Sequence, residues 1–136
     1  MTKGGNRMIN SSIYNYVNVL DKAADASWIR NEVISNNIAN VDTPNYKRQD
    51  VEFESYLLAQ LEGANSSSLK KTVAGVDLDS LTSTIYTDST ALSYRLDGNN
   101  VDIDTENVEL ASNQLKYQAL ISSISNEFSM IKSAMQ

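Results

Sequence analysis

Nine positions early in the chain, Ile13, Val17, Leu20, Ala24, Ser27, Asn31, Ile34, Ile38 and Val41, recur at alternating steps of four and three residues without a slip. A second set, Leu110, Gln114, Tyr117, Ile121, Ile124, Phe128, Ile131 and Met135, keeps the same spacing towards the C-terminus. Helical side chains three and four apart share a face, so each set predicts one long helix with a single seam. A first helix over residues 9–40 would run roughly 48 Å, which is long for a 15.0 kDa chain to bury one stripe against itself. Both seams are therefore expected to find their cover in other molecules. The predicted fold class is mainly α: long N- and C-terminal helices that form a coiled-coil-like shaft on assembly, around a short helix and an irregular or small-β middle. Ser27 and Asn31 interrupt the first seam, and a polar residue at such a position lowers stability but can fix register.

Between the seams, Val51 to Glu62 reads as a short amphipathic helix with Phe53, Leu57, Leu58 and Leu61 on one face and Gly63 placed to end it. Leu92, Tyr94 and Leu96 alternate before Asp97-Gly98-Asn99-Asn100, and Val101 and Ile103 alternate after it. That is the pattern of a short hairpin, or of an extended segment that orders on assembly. Asp104 is placed to cap the second long helix, with Glu106 in its first turn. The chain divides into four parts. Residues 1–7 are a leader without pattern, an upstream start or an expression remnant. Residues 8–41 form the first assembly helix, 42–104 the turn, short helix and acidic middle, and 105–136 the second assembly helix.

The chain contains no histidine and no cysteine. This removes imidazole general bases, the usual serine and cysteine nucleophile pairs, and most zinc sites. The five glycines are scattered, so no loop is built to cradle a phosphate. The alternating acids Asp50, Glu52 and Glu54, or Asp77 and Asp79, read as solvated loop residues. Asp102, Asp104 and Glu106 match the first three offsets of a calcium loop, but Asn107 stands where the loop needs glycine and Asn113 where it needs glutamate. No catalytic residue, cofactor, metal or small-molecule substrate is expected. Residues 41–104, with eleven acidic and five basic groups, account for the net charge of −6, and the two ends cancel. There is no basic stripe for nucleic acid and no polybasic run for an anionic membrane surface. Nor is there an apolar run long enough for a membrane span or the h-region of a cleaved signal.

The first seam ends in Ser35-Asn36-Asn37-Ile38-Ala39-Asn40-Val41-Asp42-Thr43-Pro44-Asn45-Tyr46. Asn36, Asn37 and Asn40 compete with the helix for backbone hydrogen bonds. Pro44, the only proline, pushes Thr43 out of helical geometry. In Thr43-Pro44-Asn45-Tyr46, proline suits the second position of a type II turn, and Asn45 tolerates the positive φ of the third. Tyr46, Lys47 and Arg48 follow as an aromatic-basic cluster, expected to meet the acidic face of a neighbouring subunit.

These residues also carry a resemblance. Ser35 to Tyr46 is similar to the signature shared by flagellar rod, hook and hook-associated proteins. Asp97-Gly98-Asn99-Asn100-Val101-Asp102-Ile103-Asp104, followed by a helix with Leu115-Lys116-Tyr117-Gln118-Ala119-Leu120, resembles more specifically the flagellar basal-body rod proteins. The likeness spans nearly all of residues 8–136 and is weakest over 64–90. It departs at Asn45, where the family commonly has glycine. The resemblance implies a non-enzymatic subunit of the proximal rod in the bacterial flagellum basal body. It further implies export through the flagellar type III apparatus without a cleaved signal. Partners would be other rod subunits, copies of itself, the adaptor FliE and the base with its export apparatus. A sibling subunit of the same rod and a soluble helical adaptor or export chaperone are the alternatives. On this reading the seams do the packing, Asn36 to Tyr46 shape the exit from the first helix, and Ile34→Asp or Ile124→Asp blocks motility while the protein is still made and exported.

Overall fold

The computed structural model describes residues 2–62, 69–89 and 95–135, with side chains from residue 14 onward except 60, 62, 69 and 70. Both long helices are present: α1 spans Thr2–Ala39 and α4 spans Ile103–Ala134. α1 thus includes most of the leader that carried no pattern. Between them lie β1 (Gln49–Glu52), α2 (Glu54–Glu62), α3 (Leu69–Ala74), one 3-10 turn (Leu78–Ser80) and β2 (Thr84–Thr87). β1 and β2 pair antiparallel, from Gln49 opposite Thr87 to Glu52 opposite Thr84. The mainly helical reading with a small β element in the middle holds.

The chain forms two compact units, each drawing on the N-terminal, middle and C-terminal parts. The first comprises Met1–Ala24, Phe53–Thr82 and Ala119–Gln136. Its buried apolar residues include Val17, Val19, Ala24, Phe53, Ala74, Val76 and Leu81. The 3-10 turn is held from two sides. Asp77 caps it, accepting from the Asp79 N–H (3.1 Å) and the Ser80 hydroxyl (2.8 Å). Lys22 of α1 donates its ammonium to the carbonyls of Leu78 (2.7 Å) and Leu81 (3.3 Å).

The second unit comprises Asp25–Glu52 and Ser83–Gln118. Ala26, Val33, Ile34, Val51 and Val101 are buried here, but so are Ser27, Asn37, Asn99, Asn100, Glu106 and Asn113. Buried polar groups must be hydrogen-bonded to be tolerated. This unit is therefore specified by its polar network as much as by apolar burial.

Three sequence expectations are corrected. The short helix begins at Glu54, not Val51, because Val51 pairs with Ile85 in the sheet and is buried there. The proposed end of that helix, Gly63, lies outside the described residues. The helix cap is Asp102, not Asp104: its carboxylate accepts from the N–H groups of Asp104 (3.0 Å) and Thr105 (3.4 Å). Ile103 is consequently the first helical residue and cannot be half of a hairpin arm. Leu92 and Tyr94, on the other arm, lie outside the described residues. The ladder that does form joins two segments more than thirty residues apart, β1 to β2.

Candidate functional site

The motif that ends α1 turns as the sequence requires. The Tyr46 N–H donates to the Thr43 carbonyl (3.2 Å), and Asn45 sits at φ 62°. The asparagines do more than weaken the helix. Asn40 donates its side-chain amide to the Asn36 carbonyl at 2.8 Å, a second donor beside its own backbone N–H at 3.1 Å, and accepts the Thr43 hydroxyl at 3.1 Å. Asn37 is fully buried and acts as a short piece of strand. Its amide NH₂ donates to the Gln49 carbonyl (2.7 Å), and its oxygen accepts the Gln49 N–H (2.9 Å). The Tyr46 hydroxyl also donates to that oxygen (3.1 Å), and the NH₂ reaches Glu106 (3.2 Å).

The segment Asp97 to Val101 closes over this turn. Asn99, fully buried, points its NH₂ at the carbonyls of Asn40 (2.8 Å), Val41 (3.0 Å) and Thr43 (2.9 Å). Its oxygen accepts the Val101 N–H at 2.7 Å. Arg95 adds a second donor to the Val41 carbonyl. Asn100 accepts the Arg48 N–H (2.7 Å) and donates to the Asp88 carbonyl (2.8 Å). Gly98, at φ 76°, brings this loop against Asn45, whose N–H donates to the Asp97 carbonyl at 2.7 Å. A Cβ at Gly98 would stand 2.6 Å from the Asn45 amide oxygen. Gly98→Ala will therefore cost about 1–2 kcal/mol for the left-handed backbone alone, plus the displacement of Asn45. Adding Asn45→Gly will recover the second part, and a double-mutant cycle by urea denaturation measures it.

Arg48 does not face a neighbouring subunit as expected. Its guanidinium binds Glu106 (2.6 Å) and Asp88 (2.6 Å) and lies 3.6 Å from Asp50, which Arg30 also approaches at 3.4 Å. Burial works against the charge on Arg48, but the bonds from Glu106 and Asp88 and the field of Asp50 outweigh it and raise its pKa further. The Tyr46 phenol is also pushed up, first by burial and then by the nearby Glu106. The folded phenol thus holds its proton more tightly than the unfolded one. Its contribution to stability is intact below the ordinary value of 10.0 and fades as pH climbs through the raised one. Tyr46→Phe will flatten that alkaline fall, read as thermal midpoints across the range.

The outer edge of β1 is also closed. Gln49 is taken by Asn37, the Val51 carbonyl by Arg30 at 2.7 Å, and the Val51 N–H by Asp50 at 2.7 Å.

The seams behave differently from one another. On α1, Val17, Ala24, Ser27 and Ile34 are buried, and Leu20, Asn31, Ile38 and Val41 are half-buried. Ile13 lies outside the described side chains. Half of this stripe is covered within the chain, and the half-buried residues keep part of their surface open. On α4, Leu110, Tyr117, Ile124 and Ile131 are half-buried, whereas Gln114, Ile121, Phe128 and Met135 face solvent. The inward stripe is completed one residue earlier, by Glu106, Asn113, Leu120 and Glu127. A polar set thus faces in, and an apolar set is left outside. In the motif, Asn36, Ala39, Thr43, Pro44 and Asn45 are exposed, while Asn40 and Tyr46 are half-buried.

Sequence reasoning missed Asn99, Asn100, Arg48, Asp88 and Glu106 as site residues. The Asp97–Asp104 stretch was visible as a turn, a helix start and a resemblance, but nothing local says which carbonyls its amides reach. Among the described residues no acidic or other cluster could hold a metal, and no helix is long and apolar enough to cross a membrane.

A model of the flagella basal body rod protein family matches residues 18–47, the second half of α1 and the turn. The flagellar basal body rod protein FlgB of Bacillus subtilis (strain 168) is 38% identical over 131 residues, covering 94% of this chain and 95% of that protein. The chain belongs to the flagella basal body rod protein family. FlgB of Escherichia coli (strain K12) is 32% identical over 79% of the chain and 83% of its own length. FlgB of Borrelia hermsii is 39% identical over 74% and 81%. The stretch matched by the rod-family model carries Asn37, Asn40 and Asn45, the three asparagines that close the turn.

Proposed function

We propose that the chain is a structural subunit of the proximal rod of the bacterial flagellar basal body, joining the membrane-embedded base to the distal rod and transmitting torque. The observation that carries this is the match along nearly the whole chain to a FlgB rod protein. The likeness favours this over the sibling rod protein FlgC and over a soluble adaptor or export chaperone. The exposed stripe Ile121, Phe128 and Met135 on α4 supports a subunit whose working contacts are made with neighbours. Those neighbours are copies of itself, other rod subunits and the adaptor FliE at the base. The chain reaches them through the flagellar type III apparatus without a cleaved signal. The packing residues are the α4 stripe together with the seam of α1, and the lock around Asn36 to Tyr46 sets the course of the chain leaving α1. Its work is mechanical, not catalytic.

Deleting the gene will abolish swimming. A tagged copy that restores it will co-purify with basal bodies and keep its first residues. A chain found only in the soluble fraction of swimming cells would reject the proposal in favour of an adaptor.

A further inference from the structure

The segment that closes over the turn holds the only Asp-Gly pair in the chain, Asp97-Gly98, and the chain has no Asn-Gly pair. Such a pair is a chemical weak point. Glycine has no side chain to shield its own amide nitrogen, which can attack the preceding aspartate at Cγ. The nitrogen gives up its proton, one carboxyl oxygen departs as water, and a cyclic imide forms. Water then reopens the ring. Opening at the main-chain carbonyl leaves isoaspartate, in which the backbone runs through Cβ. One water leaves and one returns, and no electron is gained or lost.

In the folded chain each group this reaction needs is occupied. The Gly98 N–H donates to the Arg95 carbonyl at 3.1 Å. The Asp97 carboxylate accepts from the Arg95 guanidinium through Oδ2 (2.9 Å) and from the Asn99 N–H through Oδ1 (3.1 Å). The peptide units on either side are pinned as well. The Asn45 N–H holds the Asp97 carbonyl at 2.7 Å, and the Lys47 ammonium donates to the Gly98 carbonyl. For attack, the nitrogen must drop its bond and the carboxyl group must leave Arg95 and Asn99, so the loop has to open locally first. We propose that Asp97 is a spontaneous isomerisation site, held silent by the closed loop with Arg95 as its guard. The product cannot rejoin the loop. An added backbone carbon displaces Asn99, whose NH₂ serves the carbonyls of Asn40 (2.8 Å), Val41 (3.0 Å) and Thr43 (2.9 Å). A chain that stays open therefore accumulates copies that can no longer close over the turn. This goes beyond the assembly role proposed above and does not depend on it.

The test follows isoaspartate in the purified full-length chain. The probe is methyl transfer from S-adenosylmethionine by an isoaspartyl methyltransferase, with peptide mapping to locate the residue. Isomerisation at Asp97 is expected to run about tenfold faster or more in guanidinium chloride than in buffer. Asp97→Glu, which would have to close a larger and slower ring, is expected to lose the signal at this position. Arg95→Leu, melted first to show that it is folded, is expected to isomerise severalfold faster than the parent in buffer. Amide exchange covers the case in which that variant does not fold. In the parent at sub-denaturing guanidinium chloride, the Asp97 rate is expected to rise in step with exchange of the Gly98 N–H. Equal rates in buffer and denaturant, a folded Arg95→Leu at the parent's rate, or an Asp97 rate indifferent to Gly98 exchange would each overturn the proposal.

Discussion

Arg48→Leu will destabilise the chain by about 3–5 kcal/mol, the cost of leaving a buried charge without its partner. Glu106 is only 1% exposed, and the Arg48 guanidinium is bonded to it at 2.6 Å. The loss does not stop there, because Asp88 and Asp50 approach the same guanidinium and would be left facing each other and Glu106. Glu106→Gln will cost less. It keeps the shape and an acceptor for Asn37, and Arg48 retains two carboxylates. Urea denaturation of both variants, with unchanged m-values, checks the order. Equal losses would mean that the burial of Glu106, not the triple duty of Arg48, dominates.

Phe128→Asp will leave the folding free energy within about 0.5 kcal/mol of the parent and abolish swimming. Phe128 is 52% exposed, in line with Ile121 and Met135, so a carboxylate there remains solvated in the isolated chain and becomes buried only at a contact. Ile34→Asp will do the opposite. Ile34 is 1% exposed, so the charge is buried within its own molecule and costs about 4 kcal/mol or more. The seam reading expects both helices to respond alike, with the chain made and exported but not assembled. The burial of Ile34 and the exposure of Phe128 predict a folding defect for the first variant and an assembly defect for the second. Thermal melts of the purified variants beside swimming assays distinguish the two.

Much of the architecture was legible because it follows from periodicity and local chemistry. The two 4-3 patterns found both helices. Proline followed by asparagine found the turn, down to the positive φ at Asn45. What was not legible depends on partners distant in sequence. Asn37 looked like a helix weakener because its partners are Gln49 and Glu106, the latter 69 residues away. Arg48 looked like an outward contact because two of its acids, Asp88 and Glu106, lie 40 and 58 residues away. The rotation of α4 was not legible for a related reason. Hydrophobicity alone would turn Ile121 and Phe128 inward, but Glu106 and Asn113 have buried hydrogen-bond partners in the second unit, and the helix turns to meet them. A pattern of apolar residues finds a helix. It does not find the rotation of that helix when polar bonds decide it.

The treatment of β1 has a consequence for life in a crowd. A short ribbon with a bare edge risks pairing with the ribbon of another copy, the first step towards an ordered clump. Here one flank carries no vacancy, since an amide, a guanidinium and a carboxylate already occupy every outward backbone group of Gln49 and Val51. This margin offers another copy nothing to zip onto.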